Sequence, residues 1–190
     1  MKQRIIQVWS ILDPIYFFFT RLQCLEQNTK NHNVFRVRLT RYKGREVILS
    51  DGTVIKKNDL LVKIHFHNVR ILKEMQNFDN FKKSVYLYKK IQESLPNLAF
   101  FIIHHKNKNQ IKGIIGITFI DRGYKRLGFE SVPLSNRSYL WFKRITLFPI
   151  HVLSSSKYPS KRKKIPTPRY LFMSKDAICE KCGALTKKVS

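Results

Sequence analysis

Val34-Phe35-Arg36-Val37-Arg38-Leu39-Thr40 and, two turns later, Leu60-Leu61-Val62-Lys63-Ile64-His65-Phe66 are the stretches that decide how this chain folds. In the first, Phe35, Val37 and Leu39 alternate with Val34, Arg36, Arg38 and Thr40. That period of two sends successive side chains to opposite faces of a half-buried strand. The second stretch alternates in the same way. Between them residues 45–49 read as a further short strand, closed by Ser50-Asp51-Gly52-Thr53. Asp-Gly is a strong hairpin signal because glycine tolerates positive φ. Asn58-Asp59 marks another turn. Three short antiparallel strands are expected.

From Asn68 the period becomes that of a helix, with Val69, Leu72, Met75 and Phe78 on one face and Asn68 as the N-cap. A second helix over residues 80–94 presents Phe81, Val85, Tyr88, Ile91 and Leu95. Pro96 is expected to stop it, because proline has no N–H to give and its ring clashes with the preceding turn. Residues 98–104 then form a short apolar helix before a polar loop at 105–110. The continuous β-branched run 113–120 reads as a buried strand ending at Asp121-Arg122-Gly123. Residues 135–148 are expected to be helical, with Trp141, Phe142, Ile145 and Phe148 apolar and Lys143 and Arg144 on the other side.

Two ends frame this core. Residues 2–22 carry Ile5, Ile6, Val8, Trp9, Ile11 and Leu12 and, beyond Pro14, Phe17-Phe18-Phe19. They read as a helical N-terminal element packed on the core, with contact at a membrane interface as the other reading. Residues 154–168, with Ser154-Ser155-Ser156, Lys161 to Lys164 and three prolines, form a basic Ser/Pro-rich loop. Residues 177–190 are a polar C-terminal tail. The fold class is α+β: a small antiparallel sheet with packed helices, one domain made of residues 1–153 with 169–176.

Charge narrows the partners. Against 12 Asp and Glu stand 37 Lys and Arg, a net charge of +25. Such a chain concentrates anions around itself, whether nucleic-acid phosphates, lipid head groups or acidic polymers. The imbalance is uneven, because no acid lies between Glu130 and Asp176, where ten basic residues do. The anion-facing surface is therefore expected to include Arg137, Lys143, Arg144, Lys161, Arg162, Lys163 and Lys164. Cys24, Cys179 and Cys182 are too few for a disulfide framework. The apolar N-terminus is interrupted by Asp13 and Pro14 and is followed by no cleavage site, so it reads neither as a signal peptide nor as a membrane span. The expected location is cytoplasmic, at most peripheral at the inner face of the membrane.

The chemistry-bearing motifs are fragments. His65-Phe66-His67 puts two imidazoles on one face of a strand, a start for metal chelation that lacks a third ligand. Cys179-Glu180-Lys181-Cys182-Gly183 resembles half a zinc knuckle, again without its second pair. No metal or cofactor is expected. Gln110 to Gly116 and Tyr124 to Glu130 resemble pieces of the GNAT acetyltransferases. In that class the phosphate-binding turn needs a small residue where Ile115 stands and should open a helix. No nucleophile elbow, P-loop or dinucleotide fingerprint occurs, and no complete catalytic site is present. The polar residues at strand ends, His65, His67, Asn68 and Arg122, are the candidate site if there is one.

As a set, Asp51-Gly52, Asn58-Asp59, Ile64-His65-Phe66-His67-Asn68, Leu95-Pro96-Asn97-Leu98-Ala99, Gly116-Ile117-Thr118 with Arg122-Gly123, Leu127-Gly128-Phe129 and Tyr170-Leu171-Phe172-Met173-Ser174 resemble the YkoP-like domain of Bacillus and relatives. The resemblance covers residues 2–176. It also extends to the segment that follows polysaccharide deacetylase domains in longer proteins, and so implies an association with cell-envelope polysaccharide. The deacetylase's own metal-binding motifs are absent. The expected function is a non-catalytic accessory or binding domain, meeting anionic lipid or lipid-linked polysaccharide and a protein partner among envelope enzymes. The alternatives are an enzyme, polysaccharide-modifying or acyltransferase-like, with its site at the strand ends, and a basic nucleic-acid-binding protein.

Overall fold

A computed structural model describes residues 22–25, 33–119, 123–154 and 167–186, and of 147–154 and 184–186 the backbone alone. The alternating stretches are paired strands. β2 (Phe35–Arg41) runs antiparallel to β5 (Leu60–Phe66) in an unbroken register from Phe35 opposite Phe66 to Arg41 opposite Leu60. Between them the Asp-Gly turn closes a hairpin, β3 (Val47–Ile48) with β4 (Val54–Ile55), and Gly52 takes the positive φ the turn requires. The hairpin leaves the main sheet and forms a two-stranded sheet of its own, so the three strands do not lie side by side.

Among the described residues the main sheet has six strands in the order β1-β2-β5-β6-β8-β7, adding β1 (Gln23–Cys24), β6 (Ile111–Thr118), β7 (Glu130–Pro133) and β8 (Arg169–Ser174). The α+β class holds, with a larger sheet than expected and one parallel pair. β6 lies parallel to β5, and the rest of the sheet is antiparallel. The parallel pair follows from the connection, because two helices are crossed before the chain returns. These are α1 (Asn68–Glu74) and α2 (Asn80–His104). Gly113 is required where β6 meets β8, since a Cβ there would lie 2.4 Å from the Met173 carbonyl oxygen.

Each face of the sheet has its own cover. One face carries Phe35, Val37, Val62, Ile64, Ile114, Leu171 and Met173 against Ile91, Leu95, Leu98, Ala99 and Ile102 of α2. On the other, Leu61, Ile115 and Phe172 pack under Val47, Leu49 and Ile55 of the hairpin and under Tyr42. Two ties hold the hairpin down. Glu130 Oε1 accepts from the Ser50 N–H and hydroxyl at 2.9 and 2.7 Å, and Asp51 accepts from the buried Ser174 hydroxyl.

Three local expectations are corrected. Pro96 does not stop the helix: α2 runs through it to His104. The proline forfeits one backbone bond on the exposed side, while Leu95, Leu98, Ala99 and Ile102 beyond and beside it are buried, and their burial outweighs a cost of about 3 kcal/mol. The residue capping α1 is His67 rather than Asn68, which is the first helical residue. The tail expected from 177 is instead part of a helix, α4 (Lys175–Thr186). Ser174 starts it by accepting the Ala177 N–H at 2.9 Å, and Ile178 and Cys182 bury into the core. Too few apolar residues mark this helix for the sequence to betray it. The 135–148 helix is α3 (Arg137–Ser154), started by Asn136, whose Oδ1 accepts from the Tyr139 N–H at 2.9 Å. The expected N-terminal element to residue 21, and residues 155–166 of the basic loop, lie outside the described residues.

Candidate functional site: a cationic cluster beneath helix α3

Antiparallel register brings together what sequence order separates. On the face shared with the hairpin, Arg36 stands directly opposite His65 and Arg38 directly opposite Lys63. Like charges facing each other across a strand pair are destabilising. Helix α3 crosses over this end of the sheet. Its Tyr139 ring stacks on Tyr170 of β8 at 6.5 Å, which turns Lys143, one helical turn on, toward the same cations. Among the described residues, the charges acting on Lys63 are those of Lys143 and Arg38, and those acting on His65 are Lys63, Arg38, Lys143 and Arg36.

Titration reflects this crowding. Burial first, and then Lys143 and Arg38, bring the Lys63 ammonium down to about 8. Burial and the four neighbouring cations bring His65 down to about 3, so at neutral pH its ring is uncharged. A group that weakly basic is a poor general base at neutral pH but remains a hydrogen-bonding one. Lys143 is lowered as well, by burial and Arg38. The side chains of Arg38, Lys63, His65 and Lys143 are partly open to solvent, while Arg36 is 7% exposed. Arg36 Nη2 lies 2.9 Å from His67 Nε2, and because a guanidinium can only donate, that ring nitrogen accepts.

The residues expected from the sequence divide accordingly. His65 and His67 are both brought to Arg36, Asn68 opens α1 beside them, and Arg122 lies outside the described residues. Lys143 is in the cluster, whereas Arg137 and Arg144 are exposed on the outer side of α3, and Lys161, Arg162, Lys163 and Lys164 lie outside the described residues. Arg36, Arg38 and Lys63 were not singled out by the sequence. Their signal was present in the alternation, with basic residues at every second position of two strands expected to pair. Among the described residues no three His, Cys, Asp or Glu side chains gather as a metal site. Cys179 and Cys182, three apart on α4, are a half-buried and a buried side chain, and burial pushes both thiols up.

The outer side of α3 has a different character. At 100° per residue, Arg137, Trp141, Arg144 and Ile145 fall on one stripe opposite Tyr139 and Lys143, with Phe142 at its border. Trp141, Phe142 and Ile145 are 66%, 53% and 51% exposed. Among the described residues no helix is long and apolar enough to cross a membrane.

Among the described residues, a mixed six-stranded sheet with helices on one face, and with a hairpin and a lysine-bearing helix on the other, defines an α+β domain. The family comparison places it: the model described as the YkoP domain matches residues 2–182, and the chain belongs to that family. The match takes in Cys179 and Cys182, past the 2–176 span of the sequence resemblance. A protein of Bacillus subtilis (strain 168) described as "Uncharacterized protein YkoP" is 45% identical over 179 residues, covering 94% of this chain and 96% of that protein. No solved structure matches the chain.

Proposed function

We propose that this chain is a non-catalytic binding domain of cell-envelope polysaccharide metabolism that seats helix α3 on an anionic membrane surface. The observation that carries it is the outer stripe of α3, where Trp141, Phe142 and Ile145 are exposed beside Arg137 and Arg144. Aromatic and aliphatic side chains with flanking arginines suit the head-group boundary of a bilayer, where rings enter the apolar edge and guanidinium groups meet phosphates. Each arginine near an anionic surface contributes about 1 kcal/mol. The net charge of +25 favours the same encounter at long range. The polysaccharide setting, with lipid-linked glycans or envelope enzymes as partners, is what the family resemblance implies.

Co-sedimentation tests the seating. The full chain should pellet with phosphatidylglycerol-containing vesicles, release as salt is raised, and stay in solution with phosphatidylcholine alone. A variant carrying Trp141→Ala and Ile145→Ala should lose most of the bound fraction. Equal binding to both vesicle types, or none to either, would remove the membrane reading.

A further inference from the structure

We propose that this protein pairs with a second copy of itself through helix α2, two of these helices lying antiparallel about a two-fold axis at Gln92. Ile91, Leu98 and Ile102 bury one face of α2 against the sheet, but they do not account for all of its large apolar side chains. Phe81, Val85, Phe100 and Ile103 are 78%, 51%, 42% and 41% exposed. At 100° per residue Phe81, Val85, Gln92, Pro96 and Ile103 fall within an arc of about 60°, beside the buried face. Phe100 follows about 40° further round, on the border that also carries Lys82, Lys89 and Glu93. The stripe runs nearly the whole length of a 25-residue helix, about 37 Å.

The spacing of the stripe selects its occupant. Phe81 and Ile103 each stand 11 residues from Gln92, and Val85 and Phe100 stand 7 and 8 residues from it. A second α2 running antiparallel therefore sets Phe81 against Ile103 and Val85 against Phe100, twice over, as a two-fold axis demands. Gln92 meets its own copy at the axis, where each side-chain amide both donates and accepts. Charge agrees with the same partner. Glu93 is the one acid of α2 and lies beside the axis. An anionic bilayer would repel it. The second copy instead brings its Lys89 along the same border, about 4 Å from Glu93 measured along the helix. Within one chain Lys89 Nζ already lies 4.0 Å from Glu93 Oε1, so both side chains reach toward that border. Repulsion between two chains of charge +25 is screened beyond about 8 Å at physiological salt. The inference is independent of membrane seating, which uses the exposed residues of α3.

Sedimentation equilibrium of the full chain at physiological salt is the test. Wild type should approach twice the mass of one chain within the micromolar range. Val85→Glu and Phe100→Lys should each weaken the dimer about tenfold or more. The double variant sets each glutamate against a lysine of the second copy and should recover it. Both positions are exposed, so each single variant should melt as a folded chain. The Trp141→Ala, Ile145→Ala variant of α3 should dimerise as wild type does. A wild type that stays monomeric throughout the micromolar range overturns the pairing. A dimer that neither single variant weakens overturns α2 as its seat, and a double variant no better than the singles overturns the antiparallel register. Because no vesicle enters the measurement, any of these failures leaves the membrane result for Trp141 and Ile145 untouched.

Discussion

Replacing Lys63 by methionine should make this protein more stable, a direction opposite to that of most substitutions at half-buried positions. Burial and the charges of Lys143 and Arg38 hold the Lys63 pKa at about 8, against 10.5 for a free lysine. At 1.36 kcal/mol per unit the charged form disfavours folding by about 3 kcal/mol. Below pH 8 the lysine is protonated in both states and the whole penalty acts. As pH rises from 8 to 10.5, the unfolded chain binds more of the proton than the folded one, so wild type gains stability, and above that window the penalty is gone. Methionine keeps the apolar stem and removes the charge. Lys63→Met should therefore exceed wild type by up to about 3 kcal/mol at pH 7, an advantage that shrinks toward zero by pH 10.5. Urea unfolding at a series of pH values measures the difference, since guanidinium would screen the very charges in question. A variant less stable than wild type at pH 7, or a difference that does not change with pH, refutes the idea that Lys63 is held against its electrostatic preference.

Other expectations follow from single contacts. His65 is uncharged down to about pH 3 in the folded chain but titrates at its ordinary 6.5 when unfolded, so stability should fall as pH drops from 6.5 toward 3. In His65→Gln that part of the acid slope should vanish. Gly113→Ala drives a Cβ onto the Met173 carbonyl and should cost about 1–3 kcal/mol by thermal unfolding, with Gly52→Ala, open in space but at positive φ, as the backbone comparison. Asp51→Ala leaves the buried Ser174 hydroxyl without this acceptor and should lower stability by about 1–3 kcal/mol, with faster hydrogen exchange confined to β3 and β4. Pro96→Ala restores an N–H inside α2 and should raise the melting temperature, by an amount equivalent to about 1–2 kcal/mol.

Local pattern carried much of the fold. The alternation in β2 and β5, the Asp-Gly turn, the helical periods after Asn68 and the β-branched run of β6 are each consequences of neighbours in sequence, and the elements fall close to where the pattern put them, with β6 at Ile111–Thr118 rather than 113–120 and the helix after residue 80 continuing to His104. Long-range choices were not legible. Nothing in residues 113–120 tells whether β6 lies parallel to β5, because that depends on the two helices between. Pro96 misled because a proline on the exposed side of a long helix is held by core contacts on the other. The helix at 175–186 was hidden because so few of its residues are apolar, and it is fixed by Ser174, Ile178 and Cys182.

The cationic cluster was half legible for the same reason. Arg36 and Arg38 alternate visibly, and Lys63 and His65 do so in the next long strand. Their meeting needs the register that sets Arg38 against Lys63, and then a helix some 80 residues further on to bring Lys143. By spacing alone His65 and His67 make an incomplete metal pair. In the folded chain their company is Arg36, which stands opposite His65 across the strand pair and lies 2.9 Å from His67 Nε2 through its Nη2.

The most direct test of membrane seating places Trp141 itself. In a Trp9→Phe background Trp141 is the chain's one remaining tryptophan. Its fluorescence should shift to the blue and be quenched by bromine-labelled acyl chains in phosphatidylglycerol vesicles, and should do neither with phosphatidylcholine. An unchanged spectrum and no quenching in vesicles that bind the protein would contradict α3 as the seat.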